Sequence, residues 1–127
     1  KTYLGLVMPD FPNFFMITGP GSPSVLTNMP RAIEQHVEWI SAILIHMKIK
    51  GYQYCAVKAE QPELWAQKVE EAASETLMPT ANHSWYLGAN IKGKPRQFMP
   101  YAGGLNRYRD ICLSEANSNY ENFVFLR

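Results

Sequence analysis

The residues best placed to do chemistry lie in and around Gly19-Pro20-Gly21-Ser22-Pro23-Ser24-Val25-Leu26-Thr27-Asn28-Met29. Ser22 and Ser24 stand there among glycines and prolines, but their flanks do not form the GxSxG turn that raises a nucleophilic serine. His36, His46 and His83 have no acid placed to complete a triad, so they read as solvated or locally bonded side chains. His36 and His46 fall on one helix about 15 Å apart, too far to share a metal ion. No HxxxH or CxxC pair occurs, so no metal is expected. Glu34 and Glu38, with His36 between them, read as a helix face. Lys92, Lys94 and Arg96 form a small basic cluster, either solvated or in contact with phosphate. Trp85 sits among small and polar residues. It either packs against the domain or offers its ring and indole N–H to a ligand.

What remains is backbone chemistry. A short apolar run at 14–17 enters the Gly/Pro/Ser loop, and that loop opens a long helix. The N-terminus of such a helix carries about half a positive charge on unpaired N–H groups. It would steady the anionic pyrimidine end of a reduced flavin by ~1 kcal/mol and raise its potential. Glycines in the loop permit close approach of backbone to a flat ring. An ordinary tight strand-to-helix turn would use the same residues.

The elements that position this loop follow from pattern. Residues 1–13 mix apolar patches with Pro9, Pro12 and Asn13 and read as a loop. Residues 14–17 read as a strand buried on both faces. A helix begins near Thr27 or Asn28, either able to cap it, with Pro30 in its first turn and Gly51 at its end. Ile33, Val37, Ile40, Leu44 and Met47 recur on it at helical spacing. Trp39, Ile43 and Ile45 widen the apolar surface, so the helix should be covered on more than one side. Residues 52–57 read as a strand. Pro62 starts a second helix with Leu64, Trp65, Val69, Ala72 and Ala73 inward. Residues 78–104 are dense in proline, glycine and aromatic residues, a long loop of the functional kind. A third helix is expected over 105–116, with Leu105, Tyr108, Ile111 and Cys112 inward, and a closing strand at 123–125.

The chain has 127 residues, 46% hydrophobic, with a formal net charge of +1. That suffices for one modest core and gives no electrostatic reason to expect nucleic acid. No apolar run reaches the ~18 residues of a membrane span, and no secretory signal pattern is visible. Cys55 and Cys112 lack any metal or redox spacing and read as free buried thiols in a reducing, cytoplasmic compartment. The start at Lys1, and a late-domain strand–loop–helix with no Gly-rich nucleotide loop before it, suggest a piece of a larger protein.

The chain closely resembles the C-terminal part of type I Baeyer–Villiger monooxygenases, the FAD- and NADPH-dependent group of cyclohexanone and phenylacetone monooxygenase. The resemblance rests on Tyr3-Leu4-Gly5-Leu6, on Phe11-Pro12-Asn13 through Met29, and on Ile33-Glu34-Gln35-His36-Val37-Glu38-Trp39. It continues in Ser84 through Asn90, Gly93-Lys94-Pro95-Arg96, Phe98-Met99-Pro100-Tyr101 with Gly103-Gly104, Tyr108-Arg109 and Tyr120-Glu121-Asn122-Phe123-Val124. It implies an α/β fold in which this chain is the C-terminal segment of a Rossmann-like FAD-binding domain, incomplete alone. The segment would divide into 1–51 (last strand, flavin loop and long helix), 52–77 (strand and helix), 78–104 (mobile active-site loop) and 105–127 (helix and strand).

The implied activity uses NADPH and O2 to insert an oxygen beside a ketone carbonyl, giving an ester or lactone. By the same resemblance, Gly19, Pro20, Gly21, Asn28 and Met29 would bind the flavin, the last two at its pyrimidine end. Ser24, Val25, Leu26 and Thr27 would shape the substrate pocket. Residues 84–96 would be the control loop over NADP, with Trp85 donating to the nicotinamide ribose. The family's dinucleotide loops, fingerprint sequence and oxygenation arginine lie upstream, so no catalytic residue is expected here, and the missing N-terminal part is the implied partner. Lys92 stands where relatives commonly carry proline, and Arg31 and Gln97 replace smaller or apolar residues. These departures, with the variant His83, bear on loop closure and substrate preference. The alternatives are a flavin monooxygenase acting on nitrogen or sulfur, and a non-catalytic α/β binding module.

Overall fold

The structure, a computed structural model, describes residues 1–23, 26–75, 92–93 and 100–127. It is a mixed α and β arrangement in the order α1 (Met29–Lys50), β1 (Tyr54–Val57), α2 (Gln61–Ser74), α3 (Leu105–Asn117) and β2 (Phe123–Leu126). α1 begins where its capping chemistry places it. Asn28 is extended, its side chain accepts the Arg31 N–H, and Pro30 lies in the first turn, where a missing donor costs little. Gly51 ends the helix in the left-handed region at φ 73 and returns its N–H to Lys48 and Met47.

β1 and β2 pair antiparallel, with Tyr54 opposite Leu126 and Val57 opposite Phe123. The far edge of β1 is closed by a side chain and not by a strand. Asn13 accepts the Cys55 N–H at its Oδ1 and gives its own N–H to the Cys55 carbonyl, both at 2.8 Å. Its Nδ2 donates to the Gln53 carbonyl at 2.9 Å.

The core is largely aromatic. Trp65 stacks on Tyr101 at 5.3 Å between centroids and tilts against Tyr108 at 6.2 Å, while Trp39 meets Tyr120 edgewise at 5.7 Å. The polar ends of these rings find partners, as buried rings of this kind require. Trp39 donates to the Cys112 carbonyl and joins α1 to α3, and Tyr108 donates to the Leu4 carbonyl. Tyr3 donates to the buried carboxylate of Glu115, which also takes both N–H groups of Asn122. Thus the N-terminal segment, expected only as a loop, is a tight turn whose Tyr3, Leu4, Leu6 and Val7 are core residues.

Three expectations need correction. Residues 14–17 do not form a named strand; Phe15 makes an isolated bridge to Val7, and Phe14 and Ile17 are exposed. A strand needs a neighbour along its whole edge, and among the described residues this stretch meets only the short turn at Leu6 and Val7, where the Met16 N–H reaches the Leu6 carbonyl. On α1 the buried stripe is Ala32, His36, Trp39, Ile43 and Met47, whereas Ile33, Val37 and Leu44 are exposed. On α2, Leu64 faces outward.

Candidate functional site: the loop before α1

The loop at 18–23 is held by its own carbonyls. Gly19 O accepts both the N–H and the hydroxyl of Ser22, at 3.1 and 2.8 Å. Pro20 O accepts the Thr2 hydroxyl, and Gly21 O accepts the Trp65 indole N–H at 3.1 Å. Ser22 O accepts the Tyr101 N–H at 2.8 Å. Four consecutive carbonyls are therefore taken up within the chain, by Ser22 of the same turn, by the N-terminal segment, by α2 and by Tyr101. Ser22 itself is fully buried. Its hydroxyl is spent on the turn and is no nucleophile.

The glycines serve this packing. A Cβ on Gly19 would stand 2.5 Å from the Gly5 carbonyl oxygen, and one on Gly21 would stand 2.9 Å from the Trp65 indole nitrogen. Gly21 also sits at φ 92, a conformation that L side chains seldom take. The close approach that glycine permits here is thus filled on one side by the chain's own turn at 4–6 and by α2.

On the other side of the loop, Leu26 and Asn28 are exposed and Thr27 and Met29 half-buried. Pro30 lacks a donor and the Arg31 N–H is capped by Asn28, so among the described residues the Met29 N–H is the first-turn donor with no partner. The first turn carries no acidic residue, so its positive end is uncompensated there. Ser24, Val25 and Trp85, and with them the expected lid at 84–96 apart from Lys92 and Gly93, lie outside the described residues. Of the basic cluster, Lys92 is exposed and Lys94 and Arg96 lie outside that set.

A feature that sequence reasoning missed lies beside Asn28. The first turns of α1 and α3 border a cavity of about 620 Å³, lined by Thr27, Asn28, Arg31, Gly104 and Arg107 among others. α3, like α1, has no acid in its first turn, and Gly104 precedes it at φ 91. The signal was the pair Gly103-Gly104 directly before a helical pattern. Elsewhere the titratable groups are structural. Burial pushes the Cys55 and Cys112 thiols up to about 12, which keeps both protonated and unreactive. Among the described residues no group of three His, Cys, Asp or Glu side chains could hold a metal ion.

No known family profile matches the chain. Individual proteins do. A Baeyer–Villiger monooxygenase of Pseudooceanicola batsensis is 39% identical over 122 residues, 96% of this chain and 22% of that protein. The methyl acetate-forming acetone monooxygenase of a Gordonia species is 36% identical over 125 residues, 98% of this chain and 23% of its own length. The chain is homologous to one segment of the Baeyer–Villiger monooxygenases. A phenazine N-monooxygenase of Lysobacter antibioticus is also similar, 35% identical over 98% of this chain and 22% of its own. Among solved structures, an oxidized steroid monooxygenase bound to NADP superposes with a TM-score of 0.89 at 40% identity, covering 99% of this chain and 23% of that one. A crystal structure of the OTEMO complex with FAD and NADP superposes at 0.87 with 30% identity, over 98% and 22%. The chain thus spans under a quarter of the length of the relatives it matches.

Proposed function

We propose that this chain is the C-terminal segment of a FAD- and NADPH-dependent Baeyer–Villiger monooxygenase of the cytoplasm, closing a Rossmann-like FAD domain and supplying its active-site lid. The observation that carries the reading is the anchored loop at 18–23 running to an uncompensated helix N-terminus, in a chain homologous end to end with that family. The residues present suit the cofactor. The loop's carbonyls are taken up by Thr2, Ser22, Trp65 and Tyr101, so they do not compete at the open side. The Met29 N–H and the positive end of α1 remain for an electron-rich ring edge.

When bound, FAD supplies the redox chemistry that couples NADPH and O2 to oxygen insertion. The part of this chain is to bind and to exclude. Gly19, Pro20 and Gly21 present a rigid backbone wall, and Asn28 and Met29 meet the pyrimidine end. Ser24, Val25, Leu26 and Thr27 border the ketone, and Trp85 with residues 84–96 closes over NADP, keeping water out. The flavin and ketone contacts come from the segment at 1–51 and the lid from that at 78–104, while the segments at 52–77 and 105–127 brace them through Trp65 and Tyr108. Catalytic groups come from upstream of this segment.

The test is the natural full-length protein. It should run several times heavier than 14.5 kDa, show flavin absorbance that bleaches on NADPH, and convert a ketone to an ester or lactone. A colourless protein of this mass overturns the reading in favour of a binding module. The similarity to a phenazine N-monooxygenase supports a second reading, oxygenation of nitrogen. NADPH consumption driven by a heteroaromatic amine, with no ester formed from ketones, would establish it.

A further inference from the structure

The bonds that anchor the loop leave one junction to a single residue. Gly19, Pro20, Gly21 and Ser22 are tied by their carbonyls to each other, to Thr2, to α2 and to Tyr101, but not to α1. α1, however, carries Asn28 and Met29, the far side of the same site. Among the described hydrogen bonds, the one that joins residues 14–23 to α1 runs from the Thr18 N–H to Nδ1 of His36, at 3.0 Å.

Both members of that bond are held in unfavourable states. Thr18 is β-branched and lies at φ 55, the left-handed region that such residues avoid. Strained backbone of this kind persists where its surroundings fix it, and it gathers at sites that need a set geometry. His36 is wholly buried on α1, edge-on to the Tyr108 ring at 5.6 Å. Since Nδ1 accepts, the neutral ring must carry its proton on Nε2, and buried Nε2 has no partner among the described residues. A leucine or phenylalanine would fill the same space without an orphaned donor. What they would lack is the acceptor for Thr18.

We propose that His36 is a positioning residue for the cofactor site. By holding the Thr18 N–H it sets the angle between the Gly-Pro-Gly loop and the first turn of α1, and so the spacing between the two sides that meet the flavin. The proposal rests on the flavin reading given above. It is not a catalytic role, because His36 is enclosed by the core and reaches the site only through Thr18.

The experiment uses the full-length protein with His36→Phe, His36→Asn and His36→Gln. FAD affinity is measured by flavin fluorescence, the bound-flavin absorbance maximum is recorded, and exchange of the Thr18 amide is followed by mass spectrometry. Asparagine Oδ1 can occupy the place of Nδ1, whereas glutamine carries its oxygen one atom further on. His36→Phe should expose Thr18 to exchange, weaken FAD by about tenfold or more and shift the absorbance maximum. His36→Asn should restore all three toward wild type, and His36→Gln should not. FAD affinity and spectrum unchanged in a folded His36→Phe variant overturn the proposal. If that variant does not fold, equal FAD affinity in His36→Asn and His36→Gln overturns it instead. Wild-type protein that binds no FAD overturns the flavin reading, and a wild type that binds FAD beside variants that bind it equally overturns the positioning role alone.

Discussion

Burial draws the His36 imidazole down to about 4, because the charged ring would lose its water inside the core. An unfolded histidine titrates near 6.5, so between these values the folded chain binds fewer protons than the unfolded one. Stability therefore rises with pH across that window; it is fully present above 6.5 and is lost as pH falls toward 4. Acidification should remove on the order of 3 kcal/mol through this group. Urea midpoints at pH 7 and pH 4.5 measure it. The fall between them should be distinctly smaller in His36→Asn, and equal falls would show that the ring does not titrate in the core. A second residue, Gly5, is tested by packing. It lies at φ 70, and a Cβ there would stand 2.5 Å from the Ser22 backbone nitrogen. Neither the torsion nor a backbone atom can yield cheaply, so Gly5→Ala should cost roughly 2–3 kcal/mol. Gly51→Ala has open space at its Cβ and carries only the torsional strain, so it should cost less. Thermal denaturation of the pair decides between close packing and torsion alone.

The elements differ in how far local sequence determines them. The ends of α1 were legible because they rest on local chemistry: Asn28 caps Arg31, Pro30 tolerates the first turn and Gly51 turns left-handed. Asn28→Ala should therefore cost about 1 kcal/mol, read from the denaturant midpoint, while Asn28→Ser should cost little. An unchanged midpoint in Asn28→Ala would mean that tertiary packing alone sets the boundary. The face of α1 was not legible. Its aliphatic stripe, Ile33-Val37-Ile40-Leu44, is more regular than the stripe that is buried, which contains His36 and Trp39. Periodicity reports that a helix has an apolar side, but where two such stripes lie next to each other it cannot say which one the chain itself covers. The strand expected at 14–17 failed for a related reason, since a strand is defined by a partner and the sequence of one strand does not contain it. In the candidate site, the loop and helix end were legible from Gly, Pro and Asn. The Thr18–His36 bond, the bonded carbonyls and the cavity shared with α3 were not, because each joins residues far apart in the chain.

At the scale of the whole molecule, the two stripes of α1 bear on whether this segment can stand alone. The buried one seats against the aromatic core. The other carries Ile33, Val37 and Leu44 along one face of the helix at spacings of four and seven, each between 39% and 47% exposed. Contiguous apolar surface of this kind is rare on free-standing proteins and marks a covered face. The matched relatives are more than four times as long, with ample chain to cover it. The isolated 127-residue chain should accordingly bind a hydrophobic dye and self-associate at micromolar concentration in size-exclusion chromatography. Replacing Ile33, Val37 and Leu44 together by lysine should suppress both effects while leaving the melting temperature of the isolated chain within a few degrees, since each position is exposed and a lysine stem can cover the same surface with its ammonium in water. The same triple substitution in the full-length protein should lower the melting temperature sharply, because three charges would then be forced against an apolar partner. A chain that is monomeric and silent to the dye before any substitution would show that its surface is finished as it stands. A full-length protein indifferent to the lysines would show that the stripe faces water there too.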